Sequence, residues 1–260
     1  MSAQLARGQR EKIRALLEQD CAWAAYALAD LQPQMDQYCA WSLAADGRGL
    51  ALIYTGLPTP TLFTFGPPAS VADAVAQIDL PRRIYITVRE EHFPVASAYY
   101  DFSADQRPMD RMVLPASAAM AAPNLPVTEL SGGCGDRLRR LYAHGGAFAP
   151  DAFDSAQLDG GAFFGVTDEK GDLIAAGGTH IVDWDAGVAA IGNMYTRPDE
   201  RGRGYAAAVL QAIVRKLRAG GIRDIVLNVD QRNAGAQRLY ARHGFLRHCP
   251  YTEGIGEKQE

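Results

Sequence analysis

Hydrophobic residues recur along this chain in two rhythms, and the changes between them outline the elements. In the first half, Ile13, Leu16 and Leu17 form an apolar stripe in a charged stretch, which predicts a helix over 7–18. A second helix, 22–31, ends before Pro33. Runs of β-forming residues follow at 38–43, 49–54 and 61–65. Asp46-Gly47 and the prolines Pro58 and Pro60 separate them, as in an antiparallel meander. Next come a helix at 71–77, a strand at 83–87, a helix at 91–99 and a strand at 107–114. The second half opens with a short strand at 127–130 and helices at 137–142 and 153–158. Strands at 162–167 and 173–182 flank a hairpin turn at 169–172. A strand over 188–196 leads into a helix whose Leu210, Ile213, Val214 and Leu217 keep helical spacing, closed by Gly220-Gly221. A short buried strand at 225–229 comes next. Asn233 then N-caps a helix with Ala236, Leu239, Tyr240 and His243 on its apolar face. Gly244 ends it, and Phe245 opens a last strand. Both halves share one order: helices, three strands, helix, strand, helix, strand. That repetition predicts a duplicated, mixed α+β fold.

Between the halves, 115–126 reads PASAAMAAPNLP, small residues and prolines without apolar period. The expected organisation is therefore a domain at 1–114, a linker at 115–126 and a domain at 127–260. A hydrophobic content of 48% and a charged content of 22% suit a globular protein with a substantial core. No apolar run approaches the roughly 20 residues of a membrane-spanning helix, and 1–20 reads as a charged amphipathic helix rather than a signal peptide. The expectation is a cytoplasmic protein with no membrane association. Cys21, Cys39, Cys134 and Cys249 lie far apart with no histidine at ligand spacing. They read as free thiols, with no metal site expected. A net charge of −4 weighs against a nucleic-acid partner and fits a small, cationic substrate.

Chemistry gathers at 188–207, VAAIGNMYTRPDERGRGYAA. Pro198 stops the strand, and Arg201-Gly202-Arg203-Gly204-Tyr205-Ala206 carries the chain into a helix. The first turn of a helix has N–H groups without partners and a dipole that favours an anion. Gly202 and Gly204 permit close backbone approach, and Arg201 and Arg203 add positive charge, so the segment reads as a pyrophosphate cradle. The first half has no counterpart: after Phe65-Gly66 come Pro67 and Pro68, which have no N–H to offer. There, Trp23, Tyr26, Tyr38, Trp41, Tyr99 and Tyr100 read as core and interface rather than pocket lining. His92, beside Arg89, Glu90 and Glu91, reads as part of a solvated helix start.

The full constellation adds Asn233, Leu239-Tyr240 and Gly244-Phe245 to Met194-Tyr195-Thr196 and the cradle. It resembles the acyl-CoA-dependent N-acetyltransferase superfamily related to the Gcn5 histone acetyltransferases (GNAT). The first half resembles the degenerate partner domain of tandem members, such as the FR47-like and glycine N-acyltransferase-like proteins. The resemblance implies two tandem domains, each a mixed, mostly antiparallel sheet flanked by helices. It also implies acyl transfer, most simply acetyl, from CoA to a primary amine on a small molecule or peptide, by direct attack in a ternary complex. The family pattern usually has Val at the position of Thr196 and often Gly at that of Ala206; both replacements are small. By resemblance, the backbone of Met194, Tyr195 and Thr196 would bond the pantetheine arm. Arg201, Gly202, Arg203, Gly204, Tyr205 and Ala206 would hold the pyrophosphate. Asn233 would touch the arm, and Tyr240 would direct its hydroxyl at the thioester sulfur.

The general base stays open. His180 is one candidate; Asn193 would only position groups; Asp183, Asp185 and Glu253 would act through water. Monomer and homodimer are both compatible with the sequence. Two other readings stand beside the transferase. One is a CoA-binding sensor without catalysis. The other is an NAD oxidoreductase, because Gly202-x-Gly204-x-x-Ala207 with Asp230 also fits a dinucleotide fingerprint. Against the latter, Arg197 to Arg201 intervene between strand and glycines, and the preceding strands are hairpin-linked.

Overall fold

The computed structural model describes residues 5–102, 106–150 and 153–259, so that residues 1–4 of the predicted N-terminal segment lie outside the description. Its elements are α1 (Arg7–Leu17), α2 (Cys21–Ala29), β1 (Cys39–Leu43), β2 (Leu50–Tyr54), β3 (Thr61–Phe65), α3 (Pro68–Ala76), β4 (Arg83–Arg89), α4 (Phe93–Ser97), β5 (Tyr100–Phe102) and β6 (Arg107–Leu114). They continue with β7 (Thr128–Glu129), α5 (Gly135–Tyr142), β8 (Phe164–Thr167), β9 (Leu173–Asp183), β10 (Val188–Thr196), α6 (Tyr205–Ala219), β11 (Asp224–Asp230), α7 (Ala234–Arg242) and β12 (Leu246–Lys258). The fold is mixed α/β, with a mostly antiparallel sheet flanked by helices.

Contacts divide the chain into two compact units. One holds Met1–Arg111, Val229–Arg232 and Arg247–Glu260; the other holds Met112–Asn228 and Asn233–Leu246. A single cut near 115–126 does not describe this division, because two later segments group with the first unit.

In the first unit β1, β2 and β3 form the expected antiparallel meander, and β3 pairs parallel with β4. The far side of β4 is covered by β12, antiparallel from Tyr251↔Arg89 to Glu257↔Arg83, and β12 also pairs with β5. Alternation along β4 drives Ile84, Ile86 and Val88 into one core with Leu62, Val71, Val75 and Tyr100. Trp23 of α2 is buried and stacks on Phe63 at 5.3 Å.

Three expectations shift here. The helix placed at 91–99 is a 3-10 turn (Glu90–His92) followed by the short α4, and Tyr100 belongs to a strand. His92 is buried rather than solvated: its ring nitrogens lie 2.9 Å from Thr64 Oγ1 and 2.9 Å from the Gly66 carbonyl oxygen. Those partners, distant in sequence, satisfy both nitrogens and let the imidazole enter the core. Tyr38 is 39% exposed, so not every aromatic of this half is core.

The second unit orders its strands β7-β8-β9-β10-β11, antiparallel except for the β10–β11 pair. With one parallel pair among this unit's described strands, this is not the doubly wound sheet of a dinucleotide-binding fold. The predicted stripe of α6 is realised: Leu210, Ile213, Val214 and Leu217 are all fully buried. A second cluster joins Leu138, Leu141 and Tyr142 of α5 to Phe163, Leu173 and Tyr195. The predicted helix at 153–158 is a 3-10 turn, Ser155–Leu158, started by Asp154, which accepts from the Ala156 N–H. Glycines 177 and 178 let side chains cross the sheet. A Cβ on Gly177 would lie 2.1 Å from the Met194 sulfur, and one on Gly178 would lie 2.3 Å from the Phe163 ring.

Candidate active site

The cradle is built from the end of β10. Arg197 leaves the strand, Pro198–Glu200 form one 3-10 turn, and Gly202 and Gly204 take left-handed φ values of +79° and +86°. Side chains other than glycine are strained there, so these two positions explain the Gly-x-Gly spacing. No side chain caps α6. The Ala208 N–H bonds the Gly204 carbonyl at 3.1 Å, and the N–H groups ahead of it have no place in the helical ladder. Residues 201–204 are exposed, and no atom lies within 4 Å of where a side chain on Gly202 would begin. Arg203 pairs with Glu200 at 2.9 Å. Arg201 donates from Nε to the Thr196 carbonyl at 3.2 Å and lies 6.0 Å from the centre of the Tyr195 ring.

Strands β10 and β11 open beside this cradle. Their parallel register runs from Val188↔Asp224 to Ile191↔Leu227 and stops there, although both strands continue. Past that point, among the described residues, β10 keeps only its antiparallel partner β9, and the ladder on that side is irregular. Between Ala190↔Ile181 and Ile191↔Thr179, His180 is an extra residue on β9. Between Gly192↔Gly178 and Tyr195↔Ala176, Asn193 and Met194 stand opposite Gly177 alone. Asn193 has φ +53°, the one positive value among described non-glycine residues. A bulge of this kind leaves backbone groups outside the ladder. Thr196 Oγ1, at the open end, is buried without a partner among the described residues.

Each of the remaining sequence candidates has a defined place. Asn233 caps α7, its Oδ1 accepting from the Ala236 N–H at 3.1 Å, which leaves its amide donors for another group. Tyr240 is the buried residue of α7, packs against Phe245 at 5.9 Å, and has its pKa pushed up to about 12 by burial. The His180 ring lies over Gly192: a Cβ there would be 2.1 Å from Nε2. It therefore borders the bulge. The Asn193 side chain donates to Gln157 Oε1 at 2.7 Å, and its carbonyl accepts from the Tyr142 hydroxyl at 3.0 Å. Asp183 is buried in a turn, its carboxylate accepting from the Asp185 and Ala186 N–H groups. Glu253 belongs to the first unit, where Tyr85 and Tyr251 donate to it at 2.6 and 2.9 Å. Tyr142 and Gln157 carried no signal in the sequence, because only the tertiary fold brings them to Asn193.

The described part of this site is thus a mixed sheet that opens between two parallel strands, with an uncapped helix beginning at the mouth. Residues 136–245 match the model of the acetyltransferase (GNAT) family. Over 68 residues it is 37% identical to a mycothiol acetyltransferase of Geodermatophilus obscurus, a match covering 25% of this chain and 22% of that protein. A tandem GNAT protein from the clavulanic acid biosynthesis pathway aligns with a TM-score of 0.62 at 14% identity, over 98% of this chain and 96% of that one. A Drosophila protein aligns with a TM-score of 0.66 at 13% identity, over 97% of each chain. At such identities the likeness concerns the fold alone.

Proposed function

We propose that the second unit is an acyl-CoA-dependent N-acyltransferase, with acetyl-CoA as the simplest donor and a primary amine on a small molecule or peptide as acceptor. The observation that carries this reading is the loss of β10–β11 pairing after Ile191↔Leu227, directly before an uncapped helix entered through two left-handed glycines. The residues present fit a CoA thioester. The opening offers backbone from Met194 to Thr196 that lies past the end of the β11 register, an orphaned buried hydroxyl at Thr196, and an exposed arginine at the cradle. The free N–H groups of Tyr205 and Ala206, with Arg201, Gly202, Arg203 and Gly204, would hold the diphosphate. Asn233 would donate to the pantetheine arm. Acyl-CoA supplies an activated carbonyl and a thiolate leaving group.

The protein has two proton problems to solve. An alkyl ammonium with a pKa of about 10 is only about one part in a thousand free amine at pH 7, so deprotonation costs roughly 4 kcal/mol. His180, at the edge of the bulge, would take that proton directly or through water. As the nitrogen attacks, negative charge grows on the carbonyl oxygen, and the unladdered N–H groups at Asn193–Met194 would stabilise it. Tyr240 would donate a hydrogen bond to the departing sulfur.

The test is release of CoA thiol from acetyl-CoA against a panel of primary amines. Amine-dependent release supports the transferase. Binding of acetyl-CoA with no release from any amine would instead make this unit a sensor. The first unit, whose β3 is followed by Gly66, Pro67 and Pro68, is proposed to be a non-catalytic copy.

A further inference from the structure

We infer that Tyr142 and Gln157 are positioning residues that hold Asn193 in its left-handed conformation and so set the bulge that faces the acyl group. This inference rests on the acyltransferase reading of the β10–β11 opening.

A non-glycine residue at φ +53° inside a strand persists only when its surroundings over-determine it. Here the determinants reach Asn193 from two directions. Tyr142, the last residue of α5, donates its hydroxyl to the Asn193 carbonyl at 3.0 Å. Gln157, in the 3-10 turn Ser155–Leu158, accepts from the Asn193 amide at 2.7 Å. One bond fixes the peptide after Asn193 and the other fixes its side chain, so rotation about either backbone torsion breaks at least one.

The clamp is itself braced. The Tyr142 ring meets Tyr195 edge to face at 5.9 Å and Phe153 at 5.4 Å. The Tyr195 hydroxyl in turn donates to the Gly145 carbonyl at 2.7 Å. The carbonyl at Asn193 belongs to the same peptide plane as the Met194 N–H. A hydrogen bond to one end therefore aims the other. Without the clamp, Asn193 would relax toward ordinary extended backbone, and the N–H groups of the bulge would turn from the opening into the ladder.

The variants are Tyr142→Phe, which removes one oxygen and keeps the ring packing, and Gln157→Leu. Asn193→Gly and Asn193→Ala serve as a matched pair, because glycine adopts positive φ freely and alanine does not. In steady-state kinetics with acetyl-CoA and the best amine of the panel, Tyr142→Phe and Gln157→Leu should lower kcat about tenfold or more while KM for acetyl-CoA stays within about threefold. Asn193→Ala should lose more kcat than Asn193→Gly. In hydrogen exchange without any ligand, the amides of 192–195 should exchange at least about tenfold faster in Tyr142→Phe, with β8 and α6 unchanged. Unchanged exchange at 192–195 overturns the clamp whatever the activity. Faster exchange with unchanged kcat overturns its part in catalysis. Wild-type protein that binds no acetyl-CoA overturns the acyltransferase reading, while the exchange result still decides whether the clamp exists.

Discussion

In its buried position the Tyr240 phenol titrates at about 12, whereas a leaving thiol of ordinary character titrates near 8.5. Complete proton transfer to the sulfur would therefore be uphill by about 5 kcal/mol, and in the proposed mechanism the hydroxyl would serve as a hydrogen-bond donor that keeps its proton. Tyr240→Phe should slow single-turnover chemistry by on the order of 10–1000-fold while acetyl-CoA still binds. Unchanged single-turnover rates would remove Tyr240 from the mechanism. His92 makes the opposite point, since its chemistry is spent on stability. Burial lowers its pKa from the ordinary 6.5, so the folded chain refuses a proton that the unfolded chain accepts. Its contribution is complete above about pH 6.5 and declines as the pH falls below that. Urea unfolding of the first unit between pH 7 and pH 5 should show falling stability, and His92→Gln should flatten the slope. A slope that survives the substitution assigns the effect to other groups.

At the scale of elements, the handover from β10 to α6 depends on two residues able to take positive φ. At Gly204 a Cβ would meet only Leu125 at 3.6 Å, so the cost of a side chain is conformational rather than steric. Gly204→Ala should cost about 1–2 kcal/mol at the helix start. If the loop relaxes instead of the helix, the same strain appears as a rise of about tenfold in KM for acetyl-CoA. Thermal melts and initial rates on one sample separate the two, and a variant indistinguishable in both would mean that the φ at 204 is unimportant.

This handover was legible in the sequence because Pro198, the Gly-x-Gly spacing and the stripe of Leu210, Ile213, Val214 and Leu217 are all local signals. The same holds for the meander of β1 to β3 and for the cap at Asn233. The bulge at Asn193 was not legible, since its cause lies in Tyr142 and Gln157, far along the chain. β5 was hidden because a three-residue strand carries no period, and His92 looked solvated because its partners at Thr64 and Gly66 are supplied by another strand.

Taken as a whole molecule, the chain holds two related units with unequal openings. In the first, the parallel β3–β4 register ends at Phe63↔Thr87. The backbone beyond is already committed: the Trp23 indole donates to the Thr64 carbonyl at 2.9 Å, and His92 engages Thr64 and Gly66. Titration calorimetry should therefore give one acetyl-CoA per chain, and two equivalent sites would contradict the reading. In parallel melts, acetyl-CoA at a hundred times its Kd should stabilise by about 2.7 kcal/mol, with NAD giving no shift.

The last long strand has a further consequence. β12 closes the sheet of the first unit against β4 and β5, yet it is encoded after nearly all of the second. During synthesis the unit that leaves the ribosome first stays incomplete until the final strand emerges. Until then β4 waits with an unsatisfied edge, the kind of surface that invites mispairing with another chain.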